Sequence, residues 1–453
     1  MNMNRLLWNV TSVRTVKELL LPGGSLANRI SYYHLALLLL SLPFDRFYSH
    51  LILGSFGIHT LIHFDRRKLK PLFTWRTMVL QSVFFVTVVS TIYATDKISA
   101  LREWELDVTI FLIPFLFCIN PIDLNKHGSR LLLIFSSGIA ATIVYLYISA
   151  VIALRFYGLP LSLIFSPAFT NHNFSQQINI HATFFSLQVA LALVFMLSLF
   201  IKEKIRYNKI FCGFVSLVLL AGIIQLGSKS VFAALFLTIN VALPLFLLTG
   251  KARKRFILIS ASLTALLIGV ICSSGIFRER YLIELRTDFS GSKNDIDVEP
   301  RVLRWGAAVD LIKQAPVIGH GAGSEIPLLK EKYFERKYYT SYLNGLNAHD
   351  QYLSLLIKSG IWGLLAYLTT LIFGFRLAIK IKDIMLFSLM TLVAVVSVSE
   401  NILDMDKGVI FYSLFFTFLV FRSTQQKNLI LAVKKHENPE KVATNHALVT
   451  SSV

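Results

Sequence analysis

Apolar residues occur in continuous runs along this chain, and the polar residues are gathered between the runs. Each run is roughly 15 to 25 residues long, which is about the length that crosses a bilayer as a helix. The runs do not alternate with polar positions, and backbone groups in lipid need hydrogen-bond partners within their own segment, so the runs predict helices rather than strands. The pattern therefore predicts an all-α polytopic membrane protein. We expect about twelve membrane helices, at residues 30–43, 48–64, 72–94, 106–119, 131–154, 181–201, 210–226, 231–249, 256–276, 351–375, 384–400 and 409–421.

The polar stretches divide the chain into five regions. Residues 1–29 form a mixed N-terminal segment that does not resemble a cleaved secretory signal, so we expect it to be retained at the membrane surface. Residues 30–276 hold helices one to nine, and residues 351–421 hold helices ten to twelve. Between them, residues 277–350 form the one large loop, and residues 422–453 form a polar tail.

Composition and charge agree with this interpretation. Apolar residues make up 55% of the chain and charged residues only 16%, so a soluble fold is excluded. The net charge of +19 would favour a nucleic-acid partner in a soluble protein, but here the basic residues lie in alternate loops. The positive-inside rule then places both termini and these basic loops in the cytoplasm, and the large loop on the outer face. The basic loops are residues 65–70, 202–206, 251–255 and 376–382.

Neither the cysteines nor a histidine pair predicts a metal centre. The three cysteines all lie in predicted membrane helices, at Cys118, Cys212 and Cys272. They indicate neither a disulfide framework nor a thiolate site. His59 and His63 share one helix face at a spacing that can bind metal, but the only nearby carboxylate, Asp65, lies in a basic loop. Helix packing is the favoured interpretation, and we predict no metal or other cofactor.

The large outer loop carries most of the polar chemistry. Pro300 can begin a helix because its missing N–H is not needed there. In that helix Arg301, Arg304 and Trp305 are three and four residues apart, so both guanidinium groups share one face and could both contact substrate. A glycine-rich turn at residues 319–323 follows, then a second amphipathic helix at about 325–338. The turn could bind a phosphate, but glycines are also common where a helix ends.

His349 lies where the tenth membrane helix begins. The positive end of the helix dipole favours neutral imidazole there, and neutral imidazole is a competent base. A histidine at the membrane interface that only caps the helix is the alternative. Lys358 is a buried charge on another face of the same helix, so we expect it to point away from His349.

Other polar residues lie at the predicted outer ends of helices. His181 either neighbours a helix cap or lines the same outer cavity as Arg301. Lys229, in the turn at residues 227–230, opposes the positive-inside rule, so it either extends to lipid phosphates or holds an anion. Glu400 and its neighbours could orient His349 or bind sugar hydroxyls, or they could form a solvated loop; these neighbours are Asp404 and Asp406.

The motifs together resemble those of the O-antigen ligase and polymerase superfamily of bacterial envelope glycan enzymes. They read Arg301-x-x-x-Trp305, Pro316-x-x-Gly319-x-Gly321-x-Gly323, His349-Asp350-x-Tyr352-Leu353 and Gly360-x-x-Gly363, with support at 181–183 and 227–230. About twelve helices with one long outer loop before the third-last span is also similar to that superfamily. The chain departs from the pattern in two places, since the superfamily usually has Asn at position 350 and Arg at position 229.

The resemblance implies a metal-independent glycosyltransferase in the bacterial inner membrane, with its large loop in the periplasm. The donor would be a glycan linked to undecaprenyl diphosphate, and the acceptor a hydroxyl of lipid A-core or a similar molecule. His349 would be the base and Arg301 the main diphosphate contact, while Lys229 matches the basic turn residue. Membrane lipids are the other expected partners, and no nucleic acid is expected.

Three functions fit the sequence. A ligase that moves a finished polymer to an acceptor is favoured, and a polymerase that joins repeat units on the lipid carrier is the alternative in the same fold. A transporter or flippase would suit the number of helices. Against it, the sequence shows no paired halves, no matching helices broken by Pro or Gly, and few charges at mid-bilayer.

Overall fold

The computed structural model describes residues 21–64, 66–120, 122–273, 275–283, 286 and 299–437. These residues form helices joined by turns, with no β-strand among them. The all-α prediction is therefore confirmed for the described part of the chain. The predictions for residues 1–20, 287–298 and 438–453, and for Asp65, lie outside the described residues.

A helix coincides with each of the twelve predicted apolar runs. The first six are α1 (Leu26–Ser41), α2 (Arg46–Ile62), α3 (Trp75–Tyr93), α4 (Lys97–Ile119), α5 (Leu124–Phe156) and α6 (Ala182–Lys202). Then come α7 (Arg206–Leu226), α8 (Lys229–Leu247, with a π-helical turn at Thr238–Ala242) and α9 (Gly250–Ser273). After the large loop come α13 (Gln351–Ile381), α14 (Ile384–Val396) and α15 (Asp406–Glu437).

Short helical segments connect some of these helices. They are Arg66–Phe73, Leu161–Phe165, Pro167–Phe169, His172–Ser175, Gln176–Ile178, Gly275–Arg278, Glu279–Ile283 and Ile402–Asp404. Within the large loop lie α10 (Arg301–Gln314), α11 (Glu325–Glu335) and α12 (Tyr339–Leu343). The predicted second loop helix is thus confirmed, although it ends at Glu335, earlier than expected.

Seven of the described helices are long and apolar enough to cross a membrane: α3, α5, α6, α7, α8, α13 and α15 as far as Gln425. Helices α1 and α2 have only 16 and 17 residues, and α14 has 13. The protein is therefore a membrane protein, while the count of twelve crossings stays a prediction. The most apolar windows of α6 and α15 are each 83% buried, so these two helices form the centre of the bundle.

The large loop, called the outer loop after its predicted side of the membrane, packs as a small unit on α13. Its apolar core consists of Ala307, Ala308, Leu311, Leu329, Tyr333, Ala348 and Ile357. Five of these come from successive turns of α10 and α11 at helical spacing, which is why both helices turn one face inward. Because Ile357 belongs to α13, the loop is anchored on a membrane helix.

The glycine-rich turn is the second anchor, and it fits into a break in α13. Gly360 interrupts the helix with a φ of 60° and a ψ of −152°. The His320 N–H donates to the Ile357 carbonyl at 2.8 Å, and the Gly321 N–H donates to the Lys358 carbonyl at 2.8 Å. A Cβ at Gly319 would lie 2.6 Å from the backbone nitrogen of Gly360, so glycine is required for this approach. The turn is therefore a packing element, and the N–H groups of residues 320–321 are occupied by α13 rather than by a phosphate.

The same turn also contacts the connection between α3 and α4. The Tyr93 hydroxyl, at the end of α3, donates to the Ile318 carbonyl. The Gly323 N–H donates to the carboxylate of Glu103 on α4. The outer loop is thus held by α13, which follows it, and by α3 and α4, which lie far earlier in the sequence.

Candidate active site

His349 is held immediately before the first turn of α13. Asp350 caps that helix, since its Oδ1 accepts the Leu353 N–H at 3.0 Å. His349 itself has a φ of 49°, and its N–H donates to Asn347 Oδ1 at 3.0 Å. An asparagine at position 350 could cap the helix in the same way, so this departure from the superfamily pattern leaves the geometry unchanged.

The His349 ring faces the carboxylate of Glu400, which lies in the segment between α14 and α15. The distance from His349 Nδ1 to Glu400 Oε2 is 3.3 Å. An ionised carboxylate can only accept hydrogen bonds, so Nδ1 carries the proton and Nε2 of the neutral ring keeps its lone pair. The His349 side chain is 27% exposed and the Glu400 side chain 12%, so the pair is open on the histidine side.

Glu400 is held in its charged form by its neighbours. Burial alone would raise the pKa of Glu400, but the hydrogen bond from His349 and the positive charges around it outweigh burial, and the net shift is downward. Arg301 is the permanent positive charge among these neighbours, whereas His349 and His181 add positive charge only when their rings are protonated. Thr183 adds a weak hydrogen bond, with its hydroxyl 3.4 Å from Glu400 Oε1. One carboxylate therefore lies within the electrostatic reach of three predicted site residues.

Arg301 approaches the same segment from the outer loop. It is the first residue of α10, and its Nη1 donates to the Ser399 carbonyl at 2.7 Å. Ser399 directly precedes Glu400, which contacts His349. Arg301 and His349 thus contact two adjacent residues of one short segment, Ser399 and Glu400. Arg301 and His349 themselves lie at opposite ends of the described loop.

His181 is a helix cap that also belongs to this cluster. Its Nδ1 accepts the Thr183 N–H at 3.3 Å at the start of α6, and its ring packs edge-on against His172 with centroids 4.2 Å apart. Burial lowers the pKa of His181 to about 4, although the nearby Glu400 opposes this shift. The ring is therefore neutral at physiological pH. The structure agrees with the helix-cap interpretation, while the prediction that His181 lines one cavity with Arg301 stays a prediction.

An open cleft of about 310 Å³ lies beside His181. Its walls carry carboxylates, basic groups and an amide, with four apolar side chains among them. The lining residues are Asp45, Arg46, Leu106, Asn179, Ile180, His181, Phe184, Asp404, Met405, Asp406 and Lys407. Carboxylate, amide and basic groups beside apolar surface are a lining that suits sugar hydroxyls and ring faces.

Lys229 lies at the start of α8, after a left-handed residue at Gly227. One turn earlier, the Gln225 side chain donates to the carbonyls of Ile164 and Phe169, at 2.6 and 2.7 Å. Lys229 is therefore at the end of the bundle that carries the segment leading to His181. Its predicted contact with an anion stays a prediction.

Arg304 does not line the site. Its side chain is 5% exposed, and its Nε donates to the Glu299 carbonyl at 3.2 Å. Arg304 falls on the inward stripe of α10 with Ala307, Ala308 and Leu311, whereas Arg301 lies one turn earlier, at the end of the helix. The shared face was a correct inference from helical spacing. The predicted substrate contact of Arg304 is not supported, because this face is turned into the core of the loop.

A buried ionic cluster, absent from the sequence-based site, lies behind the histidine. Lys358 Nζ is 2.8 Å from Glu103 Oε1 on α4 and 2.8 Å from Asp404 Oδ1. Lys358 is thus paired with these two carboxylates, and its predicted orientation away from His349 stays a prediction. Glu103 is not among the site residues predicted from the sequence. In the sequence it stands out only as an acidic residue next to an apolar run.

Glu325 extends this cluster towards the histidine. Its Oε1 accepts the Ala348 N–H at 2.9 Å, and Asn401 Nδ2 lies 3.1 Å from both of its carboxylate oxygens. The same Asn401 amide donates to Asp404 Oδ2 at 2.7 Å. The Ser354 hydroxyl lies 2.5 Å from Glu325 and 3.0 Å from Asp404. Burial raises the pKa of Glu325, and the adjacent Asp404 raises it further, so Glu325 retains its proton more readily than an exposed glutamate.

These contacts tie the buried cluster to both halves of the candidate catalytic pair. Ala348 precedes His349, and its carbonyl also accepts the indole N–H of Trp305 at 3.1 Å. Asn401 follows Glu400. The chain is therefore fixed by buried polar bonds next to each member of the pair, which favours a preorganised His349–Glu400 geometry.

The described contacts of His59 and His63 are those of helix packing. His59 Nε2 lies 3.1 Å from both the Ser31 hydroxyl and the Ala27 carbonyl, and His63 Nδ1 lies 3.0 Å from the His59 carbonyl. Among the residues described, no group of three or more His, Cys, Asp or Glu side chains is arranged to hold a metal ion.

Comparison with known protein families matches residues 214–368 to the O-antigen ligase family. The match covers about a third of the chain, from within α7 to the middle of α13, and contains Lys229, Arg301 and His349. The resemblance seen in the motifs is therefore confirmed for this part of the chain. His181 and Glu400 lie outside the matched residues. No curated protein matches the sequence.

Proposed function

We propose, from the O-antigen ligase match at residues 214–368, that this membrane protein is a glycosyltransferase acting on a lipid-linked donor. It transfers a glycan from undecaprenyl diphosphate to an acceptor hydroxyl at the periplasmic face of the bacterial inner membrane. A ligase acting on lipid A-core or a similar acceptor is the preferred form. The polymerase of repeat units is the alternative, and the geometry supports both equally because they share the same bond-forming step.

The observation that carries this proposal is the convergence of His349, Glu400 and Arg301. The acceptor O–H bond breaks as its proton passes to Nε2 of His349, and the new C–O bond forms at the anomeric carbon. The bond from that carbon to the diphosphate oxygen breaks in the same displacement. Glu400 holds the proton on Nδ1, keeps Nε2 available and stabilises the imidazolium that forms.

Arg301 supplies charge for the leaving diphosphate. One of its N–H groups is bound to the Ser399 carbonyl, so the guanidinium has a fixed position before the donor arrives. A preorganised cation in a poorly solvated site stabilises developing negative charge without reorganisation during the reaction. Lys229 is the second candidate cation. A lysine supplies charge but lacks the planar two-point contact of arginine.

The cleft beside His181 provides room for sugar residues. It adjoins the cluster through His181 itself, and its polar walls offer both donors and acceptors to hydroxyl groups. A sugar bound in this cleft lies next to His181, which interacts electrostatically with Glu400 and His349.

The decisive experiment is transfer by the purified full-length protein, with undecaprenyl-diphosphate-linked glycan and rough lipopolysaccharide as the acceptor. His349→Ala should lower kcat by roughly 10²- to 10⁴-fold, the range expected for loss of a general base. Arg301→Lys should lower kcat/KM for the donor, since a charge-assisted hydrogen bond is lost. Full activity of His349→Ala, in protein that is inserted and folded normally, would contradict the proposed base.

Envelope glycans of a deletion strain separate ligase from polymerase. Loss of a ligase should leave long polymer on the lipid carrier, because chain growth continues without transfer. Loss of a polymerase should leave single repeat units on the carrier. An unchanged glycan profile would contradict both.

A further inference from the structure

An open groove of about 560 Å³ lies at the end of the bundle opposite His349. It is formed by the segment Arg66–Phe73 together with α3, α13 and α15. Helix α3 runs from Trp75, at the groove, to Tyr93, which contacts the outer loop at Ile318. At 1.5 Å per residue, these two ends are roughly 27 Å apart. The groove is therefore nearly a full hydrocarbon thickness away from the candidate active site.

The groove has an apolar floor and a basic rim. Its lining residues are Lys70, Pro71, Thr74, Trp75, Arg76, Thr77, Phe373, Val420, Phe421 and Thr424. The floor comes from α13 and α15, which supply two phenylalanines and a valine. The rim carries Lys70 and Arg76 with the indole of Trp75, which is 67% exposed. Arg76 is oriented by a 2.6 Å hydrogen bond from its Nη1 to the Thr424 hydroxyl.

This combination matches one class of ligand. A groove at the end of membrane helices is filled by lipid, and a basic rim over an apolar floor selects an anionic headgroup above an acyl chain. Tryptophan is typical of the headgroup level of a bilayer. The sequence adds further positive charge at residues 66–68, next to Lys70. The positive-inside rule places this end of the bundle in the cytoplasmic leaflet, whose surface is anionic.

We propose that this groove is a specific site for an anionic glycerophospholipid of the cytoplasmic leaflet. The phosphate lies between Lys70 and Arg76, and an acyl chain lies against Phe373, Val420 and Phe421. The site does not depend on the proposed glycosyl transfer, because none of its residues takes part in the cluster around His349. Its role is to fix α3, α13 and α15 relative to one another at their inner ends.

Native mass spectrometry of the purified full-length protein tests this site, with phosphatidylglycerol and phosphatidylcholine of the same acyl chains as probes. The wild type should retain one phosphatidylglycerol in preference to phosphatidylcholine. The double variant Lys70→Gln/Arg76→Gln should reduce this preference by about fivefold for each charge removed, since each basic residue contributes about 1 kcal/mol to binding an anionic surface. The matched control Lys204→Gln/Arg206→Gln removes two exposed charges from another cytoplasmic loop and should leave the preference unchanged.

A second variant tests the floor of the groove. Val420→Phe narrows the groove and leaves both charges in place, so it should reduce retention of phosphatidylglycerol if the acyl chain lies there. Equal loss in the matched control, or equal retention of both lipids by the wild type, would refute the site. Preferential retention of undecaprenyl phosphate, lost in Val420→Phe, would also overturn the proposal and assign the groove to the polyprenyl tail. Displacement of phosphatidylglycerol by millimolar inorganic phosphate alone would show that the acyl chain contributes nothing.

Discussion

At the scale of single residues, the proposed reaction depends on which nitrogen of His349 carries the proton. Glu400 determines this, because its ionised carboxylate accepts from Nδ1. In the proposed reaction, the nitrogen that takes the acceptor's proton is then the unprotonated one. A base at this position therefore needs the carboxylate as much as the imidazole, as in other histidines oriented by an acid.

Replacing Glu400 by Gln tests this dependence. The amide has nearly the same shape but can present an N–H to Nδ1, which would place the histidine proton on Nε2 and block the base. We expect kcat to fall by roughly 100-fold, within the range of general-base effects, with little change in donor KM. Steady-state transfer rates measure this. The control Glu331→Gln removes an exposed carboxylate from α11 and should have no effect, and a wild-type kcat in Glu400→Gln would remove the orienting role.

His181 gives a prediction for stability against pH. Its pKa is about 4 in the folded protein, below the usual histidine value of 6.5, so the folded state binds fewer protons than the unfolded state. The stability of the neutral cap is therefore lost as pH falls from about 6.5 towards 4, by at most on the order of 3 kcal/mol. Thermal unfolding in detergent between pH 7 and pH 4.5 measures this loss.

The variant His181→Asn provides the comparison for that measurement. Asparagine is a good helix cap and does not titrate, so the cap of α6 is kept while the pH dependence is removed. We expect a smaller fall in Tm towards acid pH than in the wild type. Parallel curves for the two proteins would show that His181 does not contribute to the acid sensitivity.

At the scale of elements, the buried cluster around Lys358 connects α4, the outer loop, α13 and the segment before α15. Replacing Lys358 by Met would leave the carboxylates of Glu103 and Asp404 buried without their cation. Loss of one partner of a buried ion pair typically costs about 3 to 5 kcal/mol. We expect a clear fall in Tm and in kcat, measured on protein of equal purity.

The control for this variant is Lys380→Met, which removes an exposed lysine from the other end of the same helix. It should leave both Tm and kcat near wild type. If Lys358→Met kept the wild-type Tm, the ion pairs would not stabilise the bundle. If it lost Tm but kept kcat per folded molecule, the cluster would stabilise the fold without positioning His349.

The elements also show how far the sequence could predict this protein. The helices follow from continuous apolar runs, which are a local property, and among the described residues a helix coincides with each predicted run. Arg301 and His349 were found from motifs of a few neighbouring residues. The assembly of Glu103, Glu325, Asn401 and Lys358 could not be predicted, because these residues meet only through tertiary packing. Arg304 shows the same limit of prediction from sequence. Helical spacing predicts that Arg304 shares a face of α10 with Arg301, but it does not predict whether that face turns towards solvent or into the core of the loop.

At the scale of the whole molecule, the turn between α1 and α2 belongs to the same end of the bundle as the candidate active site. Asp45 and Arg46 line one cleft with His181 and Asp404. Helices α1 and α2 are shorter than typical membrane spans, so their crossing needs a direct test. If both helices cross the membrane, the turn between them lies on the outer side of the membrane.

Cysteine labelling in a background without the three native cysteines tests this arrangement. Phe44→Cys, in the turn, should react with a membrane-impermeant maleimide in spheroplasts, because the turn faces the outer side. Glu331→Cys on α11 is the positive control, and Lys204→Cys, in a basic loop, should react only after lysis. Reaction of Phe44→Cys only after lysis would contradict the predicted crossing of α1 and α2.

The break in α13 at Gly360 has a consequence for engineering. Because the glycine-rich turn is seated in that break, the outer loop and the first third of α13 pack as one unit and should be exchanged together. A hybrid enzyme with new sugar specificity should be spliced ahead of Pro300 and beyond Gly363. A junction placed where the loop meets α13 would combine the glycine-rich turn of one parent protein with the helix break of the other.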